Sequence, residues 1–275
     1  MPKPKKIDYI FLFAVLALSA IGLVMIFSAS PTMGVKHGDA FFYIKHHIFY
    51  LGLGVLALLY SFNLDLENLQ KRAVAVFGLA VALLLLVFIP GVGRNVLGAS
   101  RWIDLGLLSF QPSEFIKIAL VLFLAKWLAD NQAKLPDPVK GFLPPLFFLG
   151  LVSVPIMLQP DMGTTITLAT TVFAMLFIAG TEVGHILAVG GLGVLGLIVL
   201  SVVSPYRLRR LTSFLDPWQD PQGAGFQVIQ SLIAVGSGGL LGVGLGASRQ
   251  KYSYLPQQFT DFIFAILCEE LGLIG

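Results

Sequence analysis

Long apolar runs alternate with short polar connections along this chain, and the runs are too long for a soluble fold to bury. A helix needs about 20 apolar residues to cross a hydrocarbon core, with a lower limit near 17. On that scale the pattern predicts seven spans, at residues 9–29, 44–62, 73–89, 112–128, 142–158, 164–179 and 185–203, with an eighth beginning near Asp261. The expected fold class is therefore all-α, a polytopic transmembrane helical bundle. The sequence reaches Gly275 while the last apolar pattern is still running. A helix ending there would leave carbonyls unsatisfied in lipid, so residues 1–275 are expected to be one membrane domain with its C-terminal part missing.

Composition supports the same class. Hydrophobic residues make up 56% and charged residues 12%, against about 25% charged in soluble domains. The net charge of +3 comes from clusters between the apolar runs, not from one basic face, which argues against nucleic acid as a partner. The single cysteine, Cys268, lies in an apolar run, where a thiol acts as a small hydrophobe, and no disulfide can form within the chain. The N-terminus is basic and then apolar, like a signal peptide. Its apolar stretch, residues 7–29, is too long for that and has no A-x-A site, so it is read as the first span.

Lysines and arginines flanking short loops prefer the cytoplasm. Lys3, Lys5 and Lys6 place the N-terminus inside, followed by Lys71 and Arg72, then Lys126, Lys134 and Lys140. Residues 204–260 then form a large extracytoplasmic loop. The rule is broken by Arg94, Arg101, Arg207, Arg209, Arg210, Arg249 and Lys251, all placed outside. Either an anionic ligand or lipid headgroups would account for that external positive charge. The loop carries Pro205 to Arg210, then Asp216-Pro217-Trp218, an apolar stretch from Phe226 to Ala234 and a glycine run from Gly236 to Gly246. So much apolar surface implies that part of it lies along or dips into the membrane.

Most short motifs carry no chemistry. Gly191-Leu192-Gly193-Val194-Leu195-Gly196 fits a dinucleotide fingerprint but lies inside a span with no preceding strand, so helix packing explains it. The Gly236–Gly246 run lacks the Lys-Ser/Thr end of a phosphate loop and reads as a tight turn. Gly98-Ala99-Ser100-Arg101 recurs as Gly246-Ala247-Ser248-Arg249 without flanking similarity, which is coincidence. His46 and His47 are adjacent, a spacing that does not aim both at one metal.

Three charged positions stand out instead. Glu114 and Lys117 share a helix face and can pair, either bracing helices or lining a polar path. Asp161, in the turn between the fifth and sixth spans, suits a helix cap or a cavity wall. Asp261 stands at the outer boundary of the eighth span, followed at once by Phe262-Ile263-Phe264. A partly desolvated carboxylate there would accept a proton, while helix capping is the alternative.

Several stretches together resemble the SEDS family (shape, elongation, division and sporulation). They are residues 98–103, Phe110-Gln111-Pro112-Ser113-Glu114, Gln159-Pro160-Asp161-Met162-Gly163, residues 210–217, Gln230-Ser231, the glycine run, and Thr260-Asp261-Phe262-Ile263-Phe264 through Glu269-Glu270-Leu271-Gly272. Ser248-Arg249-Gln250-Lys251 ahead of Tyr254-Leu255-Pro256 tilts the resemblance to the division-type (FtsW) branch over the elongation-type (RodA) branch. One departure is visible: where many relatives have Pro-Glu and then His or Tyr before Thr-Asp, this chain has Pro256-Gln257 and Phe259.

The resemblance implies a ten-span fold whose last quarter is missing here, and a peptidoglycan glycosyltransferase that polymerises lipid II outside the bacterial cytoplasmic membrane at the division septum. It also implies a class B penicillin-binding protein as partner, beside other division-complex membrane proteins. Asp261 matches the family's essential aspartate, and Trp102 belongs to its Arg-Trp motif. The expected roles are Asp261 as general base and Arg101, Trp102, Arg207, Arg209, Arg210 and Lys251 as the substrate-binding set. A divalent cation (Mg or Mn) bridging Asp261 and diphosphate is an alternative to the arginines. A lipid II flippase, using Glu114 and Lys117 as its path, and a non-catalytic division scaffold are the rival functions.

Overall fold

A computed structural model of the chain describes residues 7–96, 99–104, 109–203, 205–252 and 254–275. In chain order it runs α1 (Tyr9–Ala29), α2 (Pro31–Gly34), α3 (Phe42–Phe62), α4 (Leu66–Leu86), β1 (Gly93–Val96), β2 (Ala99–Asp104), β3 (Ser109–Phe110), α5 (Pro112–Asp130), α6 (Leu143–Leu158), α7 (Met162–Ala179), α8 (Val183–Val203), α9 (Pro205–Leu215), α10 (Phe226–Gly238) and α11 (Ile263–Leu271). The fold is that of a polytopic helical membrane protein. Among the described residues, α1, α3, α4, Pro138–Leu158 and α7 are long and apolar enough to cross a membrane. The other two expected spans fall on α5, of 19 residues, and α8, of 21. In α5 the charges are paired locally near each end, Glu114 with Lys117 and Lys126 with Asp130.

Helix starts depart from the hydropathy pattern because caps, not apolarity, decide them. The third span was expected from residue 73, yet α4 begins at Leu66. The Asp65 side chain accepts from Glu67 N at 3.1 Å, so the polar turns around Lys71 and Arg72 are helical too. Asp137 likewise caps a wide turn, Pro138–Phe142, ahead of α6, and the backbone N–H groups of Lys140 and Val139 hold its carboxyl below the usual carboxylate range. Between α4 and α5 the chain forms a small antiparallel sheet of order β1-β2-β3, which the sequence pattern did not predict. It pairs Arg94 with Trp102 and Ile103 with Phe110.

The chain divides into two compact units, one of residues 1–62 and 200–275, the other of residues 63–199. In the second unit α5 is central. Its Ile116, Leu120, Phe123 and Leu124 recur at helical spacing and pack with Phe77, Ala80 and Leu84 of α4, Val152 and Ile156 of α6, and Leu168, Val172 and Leu176 of α7. Phe123 stacks on Phe77 and meets Phe148 edge-on, both at 4.6 Å between ring centroids. In the first unit α1 packs on α3 and α11, and α10 on α11. Met25, Ala29, Ala234, Leu255, Ala265 and Ile266 form a smaller core there. Phe11, Phe13 and Leu18 of α1 stay exposed, as suits a helix facing lipid.

Candidate active site

In the first unit, Asp261 stands on a turn that the surrounding chain fixes from several sides. The Gln257 carbonyl accepts from Thr260 N and Phe262 N, both at 3.2 Å, and Gln257 itself takes a left-handed φ of 55°. The next residue, Gln258, is fully buried, and its amide donates to Ala29 O at 3.0 Å and Thr32 Oγ1 at 2.8 Å. Phe259 packs against Tyr43, 4.4 Å between centroids. Leu255 is buried in the core. Gln257 and Phe259, the positions where the chain departs from many relatives, thus both have structural partners here.

Asp261 itself is exposed and makes no hydrogen bond or ion pair among the described residues. Two expectations change as a result. Neighbouring side chains do not desolvate the carboxylate, and it does not cap α11, whose N-cap is Phe262. Its exposed, unpartnered oxygens are free to accept a proton or a ligand donor.

Lys251 was expected among the external cations available to an anion, but it is buried. Its ammonium lies 2.5 Å from Gly246 O, 3.4 Å from Ser28 Oγ of α1 and 3.4 Å from Glu270 Oε1 of α11. The local sequence around Lys251 gave no sign of a partner 19 residues away. Glu270 is wholly buried and also accepts from the Ser28 hydroxyl at 2.7 and 2.8 Å. Glu269, also buried, takes the Ser248 hydroxyl at 2.5 Å and Arg249 N at 2.9 Å. The sequence reading names these two glutamates only within a stretch that resembles the family and gives them no role; their adjacency inside an apolar run was a further signal.

The glycine run brings this cluster together. Val243 N and Gly244 N donate to the carbonyls of Glu269 and Glu270, each at 3.0 Å. Gly242 has a φ of 78° and Gly272 a φ of 65°, and a Cβ at either would collide with the other's strand of backbone. Here the tight-turn reading of the run holds.

Of the external arginines, Arg209 is exposed on α9 and lines a polar cavity of about 260 Å³ with Thr212, Asp216, Gln219 and Asp220. Arg207 and Arg210 are on α9 too, but their side chains, like Lys3, Lys5, Lys6 and Gly98, lie outside the described residues.

The second unit holds the remaining candidates. Arg101, on β2, donates from Nε to Gln159 O and from a terminal nitrogen to Pro160 O, both at 2.7 Å. Two of its five N–H groups are therefore committed to the turn between α6 and α7, which gives Arg101 a bracing role beside the anion-binding one expected of it. Trp102 stays 36% exposed. Asp161 is the N-cap of α7, accepting from Thr164 N at 3.1 Å and Thr164 Oγ1 at 2.9 Å, so capping is the alternative realised. Glu114 and Lys117 pair at 2.8 Å. No group of three His, Cys, Asp or Glu gathers among the described residues, so a cation held by the chain's side chains alone does not fit.

A family model described as cell cycle protein, for FtsW, RodA and SpoVE, matches residues 9–275. The chain is 44% identical to stage V sporulation protein E of Bacillus subtilis over 269 residues, 98% of this chain and 74% of that protein. It is also 44% identical, over 98% of its length and 73% of the relative's, to a Geobacter protein named "Probable peptidoglycan glycosyltransferase FtsW". Among solved structures, one on the structural coordination of polymerization and crosslinking by a peptidoglycan synthase complex has a similar chain. The TM-score is 0.76 at 33% identity, covering 98% of this chain and 72% of that one. The rod shape determining protein RodA of Thermus thermophilus matches with a TM-score of 0.66 at 29% identity, over 100% and 70%.

Proposed function

The chain belongs to the FtsW, RodA and SpoVE family of cell cycle proteins, and from that premise we propose that it is a multi-pass membrane peptidoglycan glycosyltransferase that polymerises lipid II. The observation that carries the reading at this site is the exposed Asp261 carboxylate, without a partner among the described residues, on a turn whose neighbours are pinned. We assign it the general base. An acceptor sugar hydroxyl gives its proton to Asp261 as its oxygen attacks the donor's anomeric carbon. The bond to the lipid diphosphate breaks in the same displacement, inverting that carbon.

Exposed Arg209 on α9, the helix that also carries Arg207 and Arg210, meets the charge that develops on the leaving diphosphate. Trp102 offers an exposed ring for sugar or lipid contact. Arg101, Asp161, Glu114 and Lys117 support the scaffold. No step is routed through a metal ion: no group of three His, Cys, Asp or Glu gathers among the described residues. The penicillin-binding protein partner, cytoplasmic N-terminus, inner-membrane location and septal role belong to the same proposal.

The experiment is polymerisation of labelled lipid II by the full-length protein purified with its penicillin-binding partner, comparing wild type with Asp261→Asn. Glycan strands from the wild type and none from the folded variant are expected. Equal polymer from both would remove Asp261 from the chemistry. Lipid II transport into liposomes without polymer would point to a flippase.

A further inference from the structure

The buried glutamates beside the glycine run have no part in the chemistry above, yet the chain invests heavily in placing them. Glu270 sits on α11 at 0% exposure, receives a hydroxyl from Ser28 on α1 and faces the Lys251 ammonium at 3.4 Å. The Lys251 carbonyl in turn accepts from Thr32 Oγ1 at 3.1 Å, and that hydroxyl is also where the Gln258 amide donates. From Glu270 through Lys251 and Thr32 to Gln258, an unbroken series of contacts ends three residues before Asp261. Glu269 fixes the other end of the same loop through Ser248 and Arg249 N.

A buried ion pair is costly to form and is a weak source of stability in itself. What it supplies is a defined geometry, because a misplaced buried charge is far worse than a paired one. We infer that Lys251, Glu270 and Ser28 form a positioning latch that holds the turn carrying Asp261 in its productive place. They do not touch substrate. The inference rests on the assignment of Asp261 as general base, but its structural half can be measured without any activity.

The test uses Ser28→Ala and Glu270→Asp in the full-length protein with its penicillin-binding partner. Ser28→Ala removes the hydroxyl that reaches both Glu270 oxygens and the Lys251 ammonium but leaves the two charges paired, and Glu270→Asp keeps the charge but shortens its reach. Hydrogen exchange of residues 254–262 is expected to quicken at least about tenfold in both, while exchange in α4–α7 stays at the wild-type rate. In parallel, kcat falls roughly ten- to a hundredfold at unchanged KM for lipid II, as expected when a catalytic group is displaced by about 1 Å. Wild-type exchange rates at 254–262 would overturn the latch, and so would a loss confined to KM. If Glu270→Asp fails to fold, Ser28→Ala alone decides. A wild-type protein that makes no polymer would sink the glycosyltransferase assignment, and the exchange data would still judge the latch.

Discussion

Two lysine–glutamate pairs, one in each unit, use the same chemistry under opposite conditions. Glu114 and Lys117 lie three positions apart on α5, with side chains 58% and 32% exposed. Lys251 and Glu270 lie 19 positions apart, with side chains 8% and 0% exposed. The first pair is set by helix geometry alone and contributes little, because water or headgroups solvate either charge when its partner is lost. The second exists only once α1, the glycine run and α11 have packed. If either charge is removed, the other stays buried with only uncharged partners, among them Gly246 O and Ser28 Oγ for Lys251 and Ser28 Oγ for Glu270.

The largest expected effect breaks the comparison at its buried end. Glu270→Gln strands the Lys251 ammonium and should cost about 3–5 kcal/mol, read as a lowered midpoint in thermal or denaturant unfolding of the purified protein. Replacing both partners, with Lys251→Met beside Glu270→Gln, should cost less than the single change. A double variant as damaged as the single would show that the two side chains do not act as a pair.

Arg101→Met comes next. It leaves the carbonyls of Gln159 and Pro160 without their guanidinium donors, a loss of about 1.5–3 kcal/mol for hydrogen bonds to a charged group. If Arg101 braces this turn, unfolding is affected while lipid II affinity, measured in a direct binding assay, is unchanged. A weakened affinity with intact stability would restore the diphosphate role that the sequence suggested.

How much was legible follows the same division between local and distant. Hydropathy located the long helices α1 and α3–α8 but not α9 and α10, which lie in the stretch read as a loop; spacing gave the Glu114–Lys117 pair and left Asp161 between a cap and a cavity wall, because each depends on residues within one turn. The start of α4 was missed because Asp65, a polar residue outside the apolar run, sets it. The β1-β2-β3 sheet was missed because its strands are short, and Lys251 was misread because its partner is distant in sequence. Gly98–Arg101 and Gly246–Arg249 share four residues, yet Arg101 lies on β2 and braces a turn through its side chain, while Arg249 lies in no strand or helix and donates its backbone N–H to Glu269. The same arginine at the end of both stretches is therefore placed differently. Asp261 was singled out by its position next to an apolar run, but the pinning of its turn by Gln258 and Phe259 required the fold.

Smaller still is Asp161→Ala, which removes one side-chain cap and should cost about 1 kcal/mol. Faster hydrogen exchange should be confined to the first turn of α7, and spread of the effect through the helix would mean that Asp161 does more than cap.

The smallest effect belongs to Lys117→Met. The pair is an i,i+3 contact, and Glu114 at 58% exposure keeps its solvation when the ammonium is gone. The expected change in unfolding free energy is about 0.5 kcal/mol or less. That small value is what separates a bracing pair from a working one. If Lys117 only neutralises Glu114, polymerisation by the complex should stay near wild type along with stability. A stable Lys117→Met protein that has lost most of its activity would instead place this pair in the path of the substrate. The exposed pair would then be the functional one and the buried pair only a support.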